Sequence, residues 1–286
     1  TEPIRTARGT ETRDVRDRPA SMDRAREVVR ENLRRAATGL TAEGLPEPAL
    51  DGKLLRPLAA YLTVPPEKRG GLDRRFWTGA LAVEMVHEAS LLHDDILDEA
   101  PTRRGRPTMS AERGVGPALV LGDHLLTSSY RAAAASECPE FLQAFIRSVE
   151  RTVAGEIAQE KSQGRALSPE EYTRTITGKS GELFRSALIL APTLLNLGDP
   201  RRTGALGARL GCLYQMVDDF LDYCPNAHRG KKPLQDYRQG KWTWPLDLIG
   251  MEDFRAPEEE ILGRLFEAPG NGGRAPMLMG VGRMGQ

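Results

Sequence analysis

The sequence predicts an all-α protein. Its long segments space apolar residues three and four apart, which is the period of a helix that buries one face. No segment shows the alternation of apolar and polar residues typical of a half-buried strand, and no Asn-Gly or Asp-Gly pair lies between two such runs. The 286 residues can bury a sizeable core, and we expect one helical domain over residues 21–286.

Proline, glycine and capping residues divide this domain into its elements. Pro101 ends the long apolar segment that contains Ala80 and Leu92, and Ser168 with Glu171 three residues later has the spacing of a capping box. A basic loop over 224–245 follows the last long helix. The predicted helices cover 22–40, 76–100, 116–136, 139–164, 168–192 and 201–223.

The two ends of the chain differ in composition from the helical region. Residues 1–20 are charged and carry almost no large apolar side chains, so we expect a disordered or loosely attached segment. Residues of about 268–286 are rich in glycine and proline, which favours irregular structure.

Charge and cysteine content exclude several classes of function. Forty basic residues balance forty acidic ones, so no overall field favours nucleic acid or a membrane surface. The three cysteines lack the spacing of metal ligands and favour reduced thiols. No apolar run is long enough to span a bilayer. We therefore expect a cytoplasmic protein with neither a nucleic-acid partner nor a membrane span.

Two acidic motifs with the same spacing carry the clearest chemical signal. The segments LLHDDILDE and QMVDDFLDY place aspartates four residues apart, Asp94 with Asp98 and Asp218 with Asp222. Residues four apart share one face of a helix, so each pair presents two carboxylates in one direction. One such motif is usually a solvated helix face, but two copies among large apolar residues indicate a site.

These carboxylates favour magnesium as the bound metal. Mg²⁺ binds a few carboxylates together with phosphate oxygens, whereas zinc would need a His and Cys ligand set that the sequence lacks. Two acid pairs facing each other across a cavity would hold a Mg²⁺ cluster that binds a diphosphate.

Cations are needed to complete the neutralisation of such a diphosphate. The arrangement calls for one anion pocket with metal and one made only of basic side chains. His87 lies seven residues before Asp94 and so returns to nearly the same helix face. The basic candidates are Lys53, Arg56, Arg103, Arg104, Lys179, Lys232 and Lys241.

Several motifs, in this order along the chain, resemble those of the trans-isoprenyl (polyprenyl) diphosphate synthases. The resemblance runs from about residue 50 to residue 247. Its motifs are GKLLRP, HEASLLHDDILDEAPTRRGRPT, LGDHLL, GEIAQE, KSGELF, QMVDDFLD and GKWTWPL. The resemblance implies a single-domain helical bundle of the isoprenoid-synthase type around a deep central cavity, assembled as a homodimer.

The resemblance also implies a role for each matched residue. The catalytic residues would be Asp94, Asp98, Lys179 and Asp218. The ligands of about three Mg²⁺ ions would be Asp94, Asp98, Asp218 and Asp222. The allylic diphosphate would be bound by Arg103, Lys179, Ser180, Gln215, Lys232 and Lys241. Isopentenyl diphosphate would be bound without metal by Lys53, Arg56, His87 and Arg104.

The activity implied is Mg²⁺-dependent head-to-tail elongation. Loss of the allylic diphosphate gives a carbocation, the alkene of isopentenyl diphosphate attacks it in a 1'-4 condensation, and proton loss yields a trans-polyprenyl diphosphate. In this family, bulky aromatics four or five residues before the first aspartate shorten the product. Ser90 and Ala89 occupy those positions here and are small, so we expect a product of C20 or longer.

Two other functions remain open at this point. A class I terpene cyclase would share the fold and the first acidic motif, but its second motif mixes Asn or Asp with Ser or Thr and Glu, and we find none. A catalytically silent subunit of a heteromeric prenyl diphosphate synthase is the other alternative. About forty residues follow the GKWT motif, fewer than is usual in the family, which keeps this alternative open.

Overall fold

Helices form almost all of the regular structure, as the sequence predicts. The computed structural model describes residues 18–40, 47–103, 105–224 and 233–266. Residues 1–17 and 267–286 lie outside these ranges, and with them most of the loosely attached segment and the irregular segment expected from composition. The first helix, α1, begins at Arg18, inside the segment expected to be loose.

Most of the long helices coincide closely with the predicted ones, but the helix Leu55–Thr63 lies in none of the predicted ranges. Helix α3 (Arg74–Leu97) is buried from Phe76 to Val86, which is why this part of its sequence is apolar on almost every face. Its N-terminus is capped by the Asp73 carboxylate, which accepts hydrogen bonds from the backbone N–H groups of Arg75 and Phe76. The long helices are α1 (Arg18–Ala37), α2 (Leu55–Thr63), α3 (Arg74–Leu97), α5 (Val115–Ala134), α6 (Pro139–Lys161), α8 (Glu182–Leu195) and α9 (Pro200–Asp222).

Short elements connect these helices. A 3₁₀ helix covers Pro66–Gly71, and a two-stranded antiparallel hairpin pairs β1 (Thr102–Arg103) with β2 (Arg106–Pro107) directly after the first acidic motif. Helix α7 carries the predicted capping box between Ser168 and Glu171. The short helices are α4 (Met109–Arg113), α7 (Pro169–Ile176), α10 (Gln235–Arg238), α11 (Trp244–Leu248) and α12 (Glu258–Phe266).

The sequence predicts one continuous helix over 168–192, and this prediction is wrong in its middle. A π-helical turn at Thr177–Gly181 separates α7 from α8. This turn lies directly against α6, since a Cβ atom at Gly155 would come within 2.5 Å of the Lys179 backbone nitrogen. Glycine at this contact allows the two backbones to approach, which no helical periodicity reveals.

Two apolar clusters hold the helices together. The larger joins α1, α2, α3, α5, α6 and α8 and contains Phe76, Met85, Phe141 and Phe145, each without solvent exposure. The smaller packs α7 and α9 against the segment that follows α9 and includes Tyr223. In the ranges that the structure describes, no helix is both long and apolar enough to cross a membrane.

Candidate functional site

A cavity of about 800 Å³ lies between the two acidic motifs. It is lined by α2, α3, α6, α8 and α9 and by the segment 235–241. Arg104 and Lys232 lie outside the described residues. Ala89 is 2% exposed in the larger apolar cluster and does not line the cavity. The other predicted site residues do line it: Lys53, Arg56, His87, Ser90, Asp94, Asp98, Arg103, Lys179, Ser180, Gln215, Asp218, Asp222 and Lys241.

Each acid pair lies at the C-terminal end of its helix. Asp94 is in the last turn of α3 and Asp98 is its C-cap, while Asp218 and Asp222 form the end of α9. Helix C-termini carry partial negative charge, so carboxylates there are disfavoured unless a cation is bound nearby. The positions of both pairs therefore favour cation binding.

The remaining aspartate of each motif points to a protein partner. Asp95 is buried and accepts a 2.8 Å hydrogen bond from Arg103 Nε. Asp219 is buried and accepts hydrogen bonds of 2.6 Å from the Tyr172 hydroxyl and 2.7 Å from Gln215 Nε2. Burial raises the pKa of Asp219 to about 6, although both hydrogen bonds oppose the shift. These two aspartates fix the ends of α3 and α9 to their surroundings.

Lys179 enters the cavity from the π-helical turn. Its Nζ atom donates to Glu156 Oε2 at 2.8 Å and to Gln159 Oε1 at 2.9 Å, both on α6. Burial alone would lower the pKa of Lys179, but the carboxylates of Asp94 and Glu156 outweigh it and raise that pKa. Lys179 is therefore firmly cationic where a diphosphate would sit.

The same turn supplies a polar connection to α9. The Ser180 hydroxyl donates to Gln215 Oε1, and Gln215 Nε2 donates to Asp219. Since Tyr172 holds the other oxygen of Asp219, one hydrogen-bonded series runs from the π-helical turn through α9 to α7. It fixes which end of the Gln215 amide faces each neighbour.

A second region of the cavity is lined by basic side chains and also by Glu84 and Glu88 of α3. Arg56 lies in the first turn of α2 and is 6% exposed, with its guanidinium carbon 5.0 Å from the centre of the Phe184 ring. Among the described residues, its Nε atom has no hydrogen-bond partner. Lys53 and His87 line the cavity as well. A buried guanidinium with an unused donor is suited to an anion, because leaving such a donor unpaired is costly.

Sequence patterns did not single out several polar residues of this site. Glu156 and Gln159 lie three residues apart in the GEIAQE segment, and this helical spacing is a signal that could have indicated them. Tyr172 and Asp236 have no comparable signal, since their roles depend on contacts with α9. Burial and the nearby carboxylates of Asp222 and Asp219 raise the pKa of Asp236.

The carboxylates fit magnesium in their donor chemistry but do not form a complete protein cage. No three His, Cys, Asp or Glu side chains of the described residues stand close enough to hold a metal ion by themselves. Mg²⁺ usually keeps several waters and takes substrate phosphate oxygens beside one or two carboxylates. Burial raises the pKa of Asp236 and of Asp219, and neighbouring carboxylates raise both further; a bound cation would offset the contribution of those carboxylates.

Comparisons with known sequences identify one family. A family model described as "Polyprenyl synthetase" matches residues 47–270. An octaprenyl diphosphate synthase from Haemophilus influenzae is 34% identical over 224 residues, which cover 77% of this chain and 67% of that relative. Heptaprenyl diphosphate synthase component 2 from Geobacillus stearothermophilus is 32% identical over 209 residues. These residues cover 71% of this chain and 64% of that relative.

Solved structures show the same helical arrangement. A decaprenyl diphosphate synthase from Rhodobacter capsulatus superposes with a TM-score of 0.64 at 27% identity, over 85% of this chain and 75% of that one. A geranylgeranyl pyrophosphate synthase from Lactobacillus brevis gives a TM-score of 0.62 at 28% identity, over 82% of this chain and 74% of that one.

Proposed function

The chain belongs to the polyprenyl synthetase family, and we propose that it elongates an allylic diphosphate with isopentenyl diphosphate to give a trans-polyprenyl diphosphate. The relatives whose names state a product make chains from geranylgeranyl to nonaprenyl, which fits a product of C20 or longer. This agreement does not favour a terpene cyclase.

One observation carries the proposal, namely that two chemically different anion sites share one cavity. The first combines two carboxylate pairs with Lys179 and Lys241, which suits a diphosphate bound together with metal. The second contains the buried Arg56, whose Nε atom has no hydrogen-bond partner among the described residues, which suits a diphosphate bound by basic side chains. Elongation needs both substrates bound at the same time, and the two sites would bind their diphosphates by different groups.

The cations of the first site are held by protein carboxylates and amides before substrate arrives. Lys179 is bonded to Glu156, Arg103 to Asp95 and Lys241 to Asp98. A bound diphosphate offers each of them more acceptor oxygens than its protein partner does. We infer that these side chains turn from their protein partners to the allylic diphosphate, and that they stabilise its negative charge as the carbon–oxygen bond breaks.

The carboxylates that would hold Mg²⁺ are Asp94, Asp98, Asp218 and Asp222. When bound, Mg²⁺ supplies positive charge that neutralises the allylic diphosphate. The number of ions, about three in the prediction, stays a proposal, as do the homodimer and the cytoplasmic location.

Apolar residues of the cavity lining include Leu92, Leu121 and Leu125, and Ser90 lines the same cavity. We propose that the isoprenoid tail lies there, where water is excluded from the carbocation. Ser90 has a small side chain at this wall, which is consistent with a long tail.

Incubation with isopentenyl diphosphate, Mg²⁺ and a C5, C10 or C15 allylic primer, followed by sizing of the products, tests the function. Elongated diphosphates that disappear with EDTA are the expected result. Cyclic hydrocarbon from a single allylic substrate would contradict elongation. Turnover only after a second protein is added would instead support the heteromeric arrangement that the name of the Geobacillus relative states for that protein.

A further inference from the structure

A second groove lies away from the catalytic cavity, between α6, α8 and α9. Its volume is about 720 Å³, and it shares no lining residue with the catalytic cavity. Four arginines line it, and we call it the arginine groove after Arg147, Arg151, Arg185 and Arg201. On α8, Leu183 lines the catalytic cavity, whereas Arg185 and Ile189 line this groove.

The positive charge of the arginine groove is only partly balanced by protein groups. Arg185 Nε lies 3.1 Å from both carboxylate oxygens of the buried Glu182, and an Arg151 nitrogen lies 3.6 Å from one of them. In the ranges that the structure describes, no side chain pairs with the guanidinium of Arg147 or Arg201. Glu140 is the one acid among the lining residues that the structure describes.

Only part of this concentration of arginine has an evident structural role, since Arg151 and Arg185 neutralise the buried Glu182. Arg147 and Arg151 are four residues apart on α6, where like charges repel each other mildly. The whole chain has no net charge, so the groove is a local feature rather than part of a generally basic surface. Guanidinium groups bind phosphate oxygens in a two-pronged geometry, and a concave set of them favours a phosphate or diphosphate group.

The groove also has apolar lining residues. Ala144, Ile189 and Pro192 line it, together with the polar Ser148, Thr193 and Asn196. A ligand that contacts both the arginines and the apolar residues carries an anionic head and an apolar portion. We propose that the arginine groove binds a small phosphorylated amphiphile, a phosphate or diphosphate ester of an apolar chain, at a site separate from the catalytic cavity.

Two variants separate this site from the catalytic one. Arg147→Ala with Arg201→Ala removes the two unpaired guanidiniums. The matched control, Arg113→Ala with Arg209→Ala, removes the same charge from exposed positions outside both cavities. Calorimetric titration without metal uses inorganic diphosphate for the head alone and geranyl diphosphate for the head with a tail. Flotation with phosphatidic acid vesicles distinguishes a lipid headgroup from a free ester.

The groove variant is expected to lose one equivalent of bound geranyl diphosphate or to bind it at least tenfold more weakly at that site, with an unchanged elongation rate and melting temperature. The control is expected to match the wild type. Identical isotherms for the wild type and the groove variant would overturn the proposal, and so would geranyl diphosphate that binds no tighter than inorganic diphosphate. If Arg147→Ala with Arg201→Ala fails to fold, Arg147→Lys with Arg201→Lys keeps the charge and tests the two-pronged contact alone. The elongation assay is separate from the titration, so a failure of the groove proposal is distinguished from a failure of the proposed catalytic function.

Discussion

Lys241 Nζ lies 2.6 Å from Asp98 Oδ1, across 143 residues of sequence. Both side chains are largely buried, and the contact joins the end of α3 to the segment that follows α9. Breaking a partly buried ion pair leaves a charge with poor solvation, so this contact holds the two walls of the cavity in register. It also places a cation at the carboxylate that we assign to metal.

Removal of the Lys241 charge tests whether this side chain binds the allylic diphosphate. Lys241→Met should lower kcat/KM for the allylic diphosphate by roughly 10- to 100-fold, since a hydrogen bond to a charged group contributes about 1.5–3 kcal/mol. Steady-state kinetics with saturating isopentenyl diphosphate measures this. Arg238→Met is the matched control, because it breaks the exposed ion pair with Glu258 in the same segment. Equal losses in the two variants would refute a specific role for Lys241.

Arg56 offers a test of the second anion site. Arg56→Met should raise KM for isopentenyl diphosphate at least tenfold and leave KM for the allylic substrate unchanged, because its Nε atom is a buried donor without a hydrogen-bond partner among the described residues. Arg69→Met is the control, since Arg69 also stacks on an aromatic ring, that of Tyr61, but does not line the cavity. A rise in KM for both substrates would contradict the assignment of Arg56 to one of them.

The two residues expected to set chain length now have different environments. Ser90 lines the cavity, so Ser90→Phe should shorten the product without unfolding the protein. Ala89 is packed in the core, so Ala89→Phe should destabilise it by about 1–3 kcal/mol through overpacking. Product sizing and thermal denaturation measure the two effects. A shortened product from a stable Ala89→Phe enzyme would show that this interpretation of the wall is wrong.

Tyr172 tests the support of the second acid pair. Tyr172→Phe removes the 2.6 Å hydrogen bond to Asp219 and should raise the pKa of that carboxyl further, because the bond lowers it. We expect a lower melting temperature and a several-fold higher Mg²⁺ concentration for half-maximal activity.

Tyr237→Phe is the control for this change, since its hydroxyl donates to the Ala256 carbonyl, outside the cavity. A Mg²⁺ requirement that rises equally in both variants would indicate a general loss of packing. An unchanged Mg²⁺ requirement in Tyr172→Phe would rule out that the bond between Tyr172 and Asp219 positions the second acid pair.

The sequence by itself determined the all-α class, most helix limits and the capping box at Ser168, because these depend on periodicity and on contacts within a few residues. It also indicated the two acid pairs, since i and i+4 positions share a helix face in any helix. The motifs near Asp94 and Asp218 were therefore recognisable before any tertiary contact was known.

Only the tertiary structure decided which partners these residues have. The π-helical turn at Lys179 depends on the glycine contact with α6. The bond between Lys241 and Asp98 joins residues 143 apart in sequence. The different environments of Ser90 and Ala89 depend on the rotation of α3 about its axis in the core. Each of these depends on packing between elements distant in sequence. Local periodicity carries no information about that packing, whose energetics depend on which surfaces meet.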